Sequence, residues 1–401
     1  GMAEGSEVAQ HILRPMMEAV LPEGISLREL GQFAMESCIT APEVKLEAEP
    51  LAALTEMLRG QCLLLLDGCG QAVVIDMRGY VHRSVGRPVN ERVVIGPHEA
   101  FNEVLRDNLT LLHRKLPTQQ LMVTMHPVGT KISGQLAICY LGDLCPEEMV
   151  RRLEQRITGC GLDAVTSIGV LQQLLEDDPA APLPQAVLTE RPDRVVSFLL
   201  EGQAVVLLDG SPRALVMPVS LWHLCHAPDD SNMRWQYGTF LRLLRMAGMM
   251  IALFLPAVYV ALTVFHPEGM SLSMITSVIE SQSKMPLNLF PSMLLMLLAF
   301  SLINEAASRV PGALGGSLSI VGGIILGQAV VEANMFSPML IVVVAISGLG
   351  SYAVPSFPLT MAIRIIQFFL VVLAGLAGET VMVLGYFFYE AVVLQLGWAA
   401  A

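Results

Sequence analysis

Residues 242–265 read RLLRMAGMMIALFLPAVYVALTVF, and this stretch decides the fold class. Two arginines, Arg242 and Arg245, head an apolar run over residues 246–265. Twenty apolar residues in a helix cross a hydrocarbon core of about 30 Å. To the N-terminal side of this run the chain is ordinarily charged. Residues 1–240 hold 19 of the 24 Lys+Arg and 30 of the 36 Asp+Glu, leaving 5 basic and 6 acidic residues for the 161 positions from 241 onward. Only a solvent that rejects charge selects the second composition, and the bilayer core is that solvent. The expected architecture is two related α/β (α+β) soluble subdomains followed by an all-α multi-span membrane domain. The expected boundaries are 1–178, 179–240 and 241–401. Four to six membrane segments are expected, at 246–265, 287–299, 317–331, 339–354 and 363–388, the last interrupted by Gly375, Gly378 and Glu379.

Charge also orients the chain and excludes partners. Arg234, Arg242 and Arg245 flank the first run on its N-terminal side, whereas residues 266–285 carry only Lys284 against Glu268 and Glu280. The positive-inside rule therefore places the soluble region in the cytoplasm. The N-terminus GMAEGSEVAQHILRPMMEAV has no apolar core of a signal peptide, which predicts the same side. With 19 basic against 30 acidic residues the soluble region carries a net charge of −11, which repels phosphates and excludes a nucleic-acid partner. Cys38, Cys62, Cys69, Cys139, Cys145, Cys160 and Cys225 all precede the first run and form no C-x-x-C pair, so they are expected to be plain thiols.

The soluble region repeats itself. GQCLLLLDGCGQAVVI begins at Gly60 and GQAVVLLDGSPRALVM at Gly202; the shared Asp-Gly pairs, Asp67–Gly68 and Asp209–Gly210, are offset by 142 residues. Each copy is an apolar run, an Asp-Gly turn and a second apolar run, which is a β-hairpin signal. Between the copies, residues 96–116 carry one apolar helical stripe, with Pro97 near the expected start. Residues 121–142 read as two strands and 146–157 as a polar helix. DDPAAPLP, residues 177–184, is a Pro-rich linker.

Candidate functional residues lie mainly in the membrane part. Gly315, Ser319, Gly323 and Gly327 recur every four residues and form a helix-packing face. Glu305, Arg309, Gln328, Glu332, Arg364 and Glu379 are polar within apolar surroundings; a charge at the bilayer centre costs at least about 2.5–3.5 kcal/mol, so such residues face partners, a polar conduit or the interface. Glu305 and Arg309 are spaced to pair along one helix face. The segment Trp222-His-Leu-Cys-His226 holds two histidines and a cysteine but lacks a second ligand group, so no metal site is expected. Asp67 and Asp209 read as turn residues, not catalytic carboxylates. No phosphate-binding, dinucleotide, nucleophile-elbow or zinc-protease motif is present, so neither an enzyme nor a cofactor is expected.

An ordered set of segments carries a family resemblance. TERPD (Thr189, Glu190, Arg191, Pro192, Asp193) followed by LLEGQAVVLLDGSPRALVMP resembles the second soluble subdomain of the GerA family of spore germination proteins. GPHEAFNEVLRDNLTLLHRKL resembles the first. YVALTVFHPE, EAASRVP, GGSLSIVGGIILGQAVVEANMFSP and YAVPSFPLTMAIRIIQF resemble its membrane domain. The set covers roughly residues 55–380; residues 1–50 match poorly, and family members continue past LQLGWAAA, where this chain stops as a short or truncated homologue. The A-type subunit of a nutrient germinant receptor is the nearer resemblance, with a SpoVAF-type spore protein as the alternative. The resemblance implies a protein of the spore inner membrane, its N-terminal domain facing the core, working with a transporter-like B subunit, a lipoprotein C subunit and membrane lipids. It implies a homo-oligomer forming a cation conduit that nutrients open. A non-conducting scaffold is the competing expectation.

Overall fold

A computed structural model describes residues 8–20, 30–41, 43–58, 61–76, 86–91, 93, 95–132, 134–159, 161–283, 285–310, 323, 327–329 and 331–398. The chain divides into two compact units, Gly1–Arg83 and Ser84–Ala401.

In the first unit, helices α1 (Arg14–Glu18) and α2 (Leu30–Phe33) precede strand β1 (Val44–Glu47), helix α3 (Pro50–Leu58) and the hairpin β2 (Cys62–Leu64) and β3 (Ala72–Ile75). The antiparallel sheet has the order β1-β3-β2. Gly68 turns the hairpin at φ 79°, a conformation that costs glycine little. Val73 and Ile75 pack with Ile12, Ala34 and Ile39 into a small core.

The soluble part of the second unit is built on one five-stranded antiparallel sheet. Its elements are α4 (Leu105–Lys115), β4 (Leu121–Val128), β5 (Gly134–Leu141), α5 (Glu147–Thr158), α6 (Ile168–Leu175), β6 (Val187–Thr189), α7 (Pro192–Leu200), β7 (Ala204–Leu208), β8 (Ala214–Met217) and α8 (Leu221–Cys225). The strand order is β4-β5-β7-β8-β6. Side chains alternate between the two faces of a strand. Ala137, Cys139, Val205, Leu207 and Val216 share a core with Leu111 and Leu112 of α4 and with Val195 and Leu199 of α7. Leu136, Ile138, Val206, Leu208 and Leu215 pack with α5 and α6 in a second core.

Two expectations are corrected here. The boundary expected at 178/179 runs through this sheet, because β5 hydrogen-bonds β7 from Leu136↔Leu208 to Cys139↔Val205. A strand buried on both faces needs neighbours on both edges, and the second hairpin supplies one to β5. The helix expected from residue 96 starts only at Leu105. Asn102 and Asn108, both buried, bond each other's backbone or side chain, and Val104 N–H is taken by Asn102 Oδ1 at 3.0 Å. That local turn competes with the helix and delays it.

The membrane part holds α9 (Trp235–Val264), α10 (Leu272–Ser283), α11 (Leu289–Arg309), α12 (Pro338–Tyr352) and α13 (Phe357–Trp398). Among the described residues, three helical stretches are long and apolar enough to cross a membrane: Trp235–Val264, Leu289–Ala307 and Phe357–Gly378, of 30, 19 and 22 residues. The first begins eleven residues before the expected start, and Pro338–Tyr352, at 15 residues, reaches only about 22 Å. Gly378, at φ 70°, breaks α13. The expected segment at 317–331 lies mostly outside the described residues. A Cβ on Gly350 would overlap the Gly248 carbonyl, so α9 and α12 approach backbone to backbone. The core facing α4 and α7 continues through Leu224 and Cys225 into these helices.

Candidate functional site

The TERPD segment joins β6 to α7 and is the centre of a buried polar clamp. Glu91 Oε2 accepts the Glu190 backbone N–H at 3.0 Å and the Thr189 hydroxyl at 2.5 Å. Glu190 Oε1 returns the contact by accepting the backbone N–H of Asn90 at 2.5 Å and of Glu91 at 2.8 Å. Charged acceptors on backbone donors are the stronger class of hydrogen bond, and here two of them lock one loop onto one motif. The Arg191 side chain is 0 % exposed and donates to Asp193 Oδ2 at 2.7 Å and to the Pro97 carbonyl at 3.1 Å. Pro192 opens α7, where its missing N–H costs nothing. Arg194 closes the clamp: it pairs with Glu91 at 2.6 Å, donates to the His226 carbonyl at 3.1 Å and lies over the Phe198 ring.

The clamp leads to the membrane. A Cβ on Gly96 would sit 2.6 Å from Asn232 Nδ2, so the clamped loop reaches the 227–232 turn only because glycine is there. In that turn Asp230 is 5 % exposed. It accepts the Ala227 N–H at 3.1 Å and both guanidinium nitrogens of Arg245 at 2.6 Å each, and Arg242 lies 3.5 Å away. Burial pushes the Asp230 carboxyl up, but the Arg245 hydrogen bond and charge outweigh it and hold it below the ordinary carboxylate range. Burial, followed by the Arg242 charge, pushes the neighbouring His226 imidazole down, which favours its neutral form. Arg242 and Arg245, two of the three arginines expected to flank the first span, thus tie it to the soluble region through Asp230. Trp235, Tyr237 and Phe240 are exposed instead, as aromatic residues at a membrane–water interface are.

Inside the helix bundle, α9 carries Pro256 in its middle. The Ala252 carbonyl accepts the Ser347 hydroxyl of α12 at 3.0 Å and the Gln367 amide of α13 at 2.8 Å. Gln367 Nε2 also reaches Ser347 Oγ at 2.5 Å. Tyr352 of α12 donates its hydroxyl to Asn304 Oδ1 of α11.

The residues singled out in the sequence separate into groups. Thr189, Glu190, Arg191, Pro192 and Asp193 come together in the clamp. Glu305 and Arg309 pair at 2.6 Å on an exposed face of α11, and Gln328 donates to Glu332 at 2.9 Å, also on an exposed face. These pairs are not brought together with the clamp. Gly315 and Ser319 lie outside the described residues, as does the side chain of Glu379. Among the described residues, Cβ atoms placed on Gly323 or Gly327 would meet nothing within 4 Å. His223 sits in a capping box with Ser220 and pairs with Glu201 at 2.9 Å. No group of three potential metal ligands occurs among the described residues. Asp209 Oδ1 accepts the Leu105 N–H at 3.1 Å and so caps α4. Cys139 is pushed up to about 12 by burial, which removes it as a nucleophile.

Sequence reading missed Glu91, Arg194, Asp230, Ser347 and Gln367. Pro256 within an otherwise unbroken apolar run was the available signal for the last two, since its freed carbonyl needs a donor. Nothing in the local sequence marks Glu91 or Asp230.

A family model described as Bacillus/Clostridium GerA spore germination protein matches residues 1–397. Spore germination protein B1 of Bacillus subtilis is 31 % identical over 389 residues, covering 97 % of this chain and 80 % of that protein. Spore germination protein A1 of the same organism is 31 % identical over 352 residues, covering 86 % and 73 %. The crystal structure of the N-terminal domain of the A subunit of the Bacillus megaterium spore germinant receptor GerK3 is 29 % identical, covers 30 % of this chain and 95 % of that domain, and superposes with a TM-score of 0.26. Matched by that family model over residues 1–397 and 31 % identical to a relative over 97 % of its length, this chain belongs to the GerA family of spore germination proteins.

Proposed function

We propose that this chain is the A-type subunit of a nutrient germinant receptor in the spore inner membrane, with its N-terminal region on the core side. The observation that carries the reading is the family match over residues 1–397, joined to a soluble region bolted onto the first span through Asp230 and Arg245. Such a connection suits a subunit that passes a signal between a water-facing domain and membrane helices. Its partners are membrane lipids, a transporter-like B subunit, a lipoprotein C subunit and further copies of itself. Oligomerisation through the face of Gly315, Ser319, Gly323 and Gly327 would create a cation conduit lined by some of Glu305, Arg309, Gln328, Glu332 and Glu379. Among the described residues, nothing lies within 4 Å of a Cβ on Gly323 or Gly327, which supports a neighbour there.

A second reading, a non-conducting scaffold, is favoured by the local pairing of Glu305 with Arg309 and of Gln328 with Glu332, which satisfies each pair within its own helix. Spores lacking the chain should lose cation release and the fall in optical density in response to at least one nutrient, and regain both on complementation. Intact responses to every nutrient would refute the receptor reading. Gly323→Leu and the double change Glu305→Gln, Glu332→Gln separate the two models. A conduit loses cation release with either, and a scaffold keeps it with the second.

A further inference from the structure

We infer that Gln367 and Ser347 form a latch on a proline hinge in α9, so that the first span is a lever of two arms, residues 235–252 and 256–264. Proline 256 lacks an N–H, and its ring crowds the carbonyl four residues earlier, so the helix cannot satisfy the Ala252 carbonyl itself. Within a bilayer no water replaces the lost bond. Two donors converge on that oxygen instead, Ser347 Oγ at 3.0 Å and Gln367 Nε2 at 2.8 Å. Ser347 is 2 % exposed and Gln367 7 %, so neither donor has a competing contact with solvent. The triangle is closed by the 2.5 Å contact from Gln367 Nε2 to Ser347 Oγ: the serine gives its one hydrogen to Ala252 and accepts from the amide.

The placement gives the latch its leverage. Residues 235–252 carry Arg245, which Asp230 holds to the soluble region. Gly248 on the same arm lies against Gly350 of α12, so a small tilt of the arm changes a backbone contact with no side chain between to absorb it. Residues 256–264 form the arm that begins at the proline. A displacement of the soluble region thus reaches one arm first, and the latch decides whether that arm moves against α12 and α13. Proline breaks in membrane helices are tolerated where neighbouring side chains re-satisfy the freed carbonyl; here those side chains come from two other helices, and their release would separate all three.

The test is hydrogen–deuterium exchange on the full chain in lipid nanodiscs. Gln367→Met keeps length and bulk while removing the amide. Backbone amides of residues 249–260 should exchange about tenfold faster than in the wild type, with β5 and β7 unchanged. Adding Pro256→Ala returns an N–H to the Ala252 carbonyl and should restore protection. Equal exchange in the wild type and Gln367→Met overturns the latch, and so does failure of Pro256→Ala to restore protection. Should Gln367→Met also deprotect β7, the chain has unfolded. Ser347→Ala then tests the same carbonyl, and unchanged exchange at 249–260 in that variant overturns the proposal. The link from latch to signalling rests on the receptor reading. In spores, Gln367→Met should raise nutrient-independent germination and Pro256→Ala should suppress the nutrient response. Faster exchange with unaltered germination overturns the coupling, while the receptor reading stands or falls by deletion of the whole chain.

Discussion

The two halves of the internal repeat share one plan and differ in what they are joined to. In each copy a strand, a helix and a hairpin follow in the order β-α-β-β, offset by 142 residues: Pro50–Leu58 matches Pro192–Leu200, and Cys62↔Ile75 matches Ala204↔Met217. The register of the outer strand is kept, with Val44↔Ile75 beside Val187↔Val216. Even the turn before the helix is kept by different atoms. Glu47 accepts the Glu49 N–H at 3.2 Å, and Thr189 accepts the Arg191 N–H at 3.2 Å. The first copy stops at three strands, and its β2 is only half buried. In the second, β7 is flanked by β5 and β8 and is buried along its length. Where the first copy has the exposed Glu49, the second has the fully buried Arg191. A duplicated backbone can therefore keep its strand register while one position is an exposed glutamate in one copy and a buried arginine in the other.

The largest test of this difference is Asp230→Ala. Removing the carboxylate takes the ion-pair partner from Arg242 and from Arg245, which keeps only the Cys225 carbonyl, and breaking a buried pair costs about 3–5 kcal/mol. Thermal unfolding of the detergent-solubilised chain measures it; a loss below about 1 kcal/mol would show that the junction is solvated. Because the folded carboxyl is held below its ordinary value of about 3.9, this stabilisation is present above about pH 4 and lost as pH falls through the lower folded value. His226, also depressed, adds stability above about pH 6.5 that fades as pH falls toward its folded value.

A paired change sharpens the comparison at an intermediate scale. Arg191→Met strands the Pro97 carbonyl and Asp193 and should cost about 2–3 kcal/mol. Glu49→Met, at the equivalent place in the first copy, should stay within about 0.5 kcal/mol. Equal losses would mean that both copies are clamped alike. The smallest expected effect compares the two turn aspartates. Asp209→Ala removes the cap on Leu105 and should cost about 1 kcal/mol, whereas Asp67→Ala should cost a few tenths. Both are read from denaturant midpoints, and reversed magnitudes would contradict the capping role.

Much of this chain is legible in its sequence. Charge density marked the change from a charged to an apolar region, turn chemistry placed both hairpins, and the shared Asp-Gly pairs revealed the duplication. These signals are local: a strand alternates, a turn needs glycine, and a bilayer rejects charge wherever it occurs. Helix starts were less legible, since Asn102 and Asn108 compete with the helix through side-chain contacts that no periodicity records. The polar clamp was invisible for a different reason. Glu91 and Glu190 exchange backbone hydrogen bonds across 99 residues, and Gln367 meets Ala252 across 115. By itself the sequence determined which segments are strands, turns and apolar helices, because each answers to its own solvent and its own backbone. Only the tertiary structure decided which buried polar groups satisfy one another, because desolvation makes a partner necessary and packing alone chooses which one is within reach.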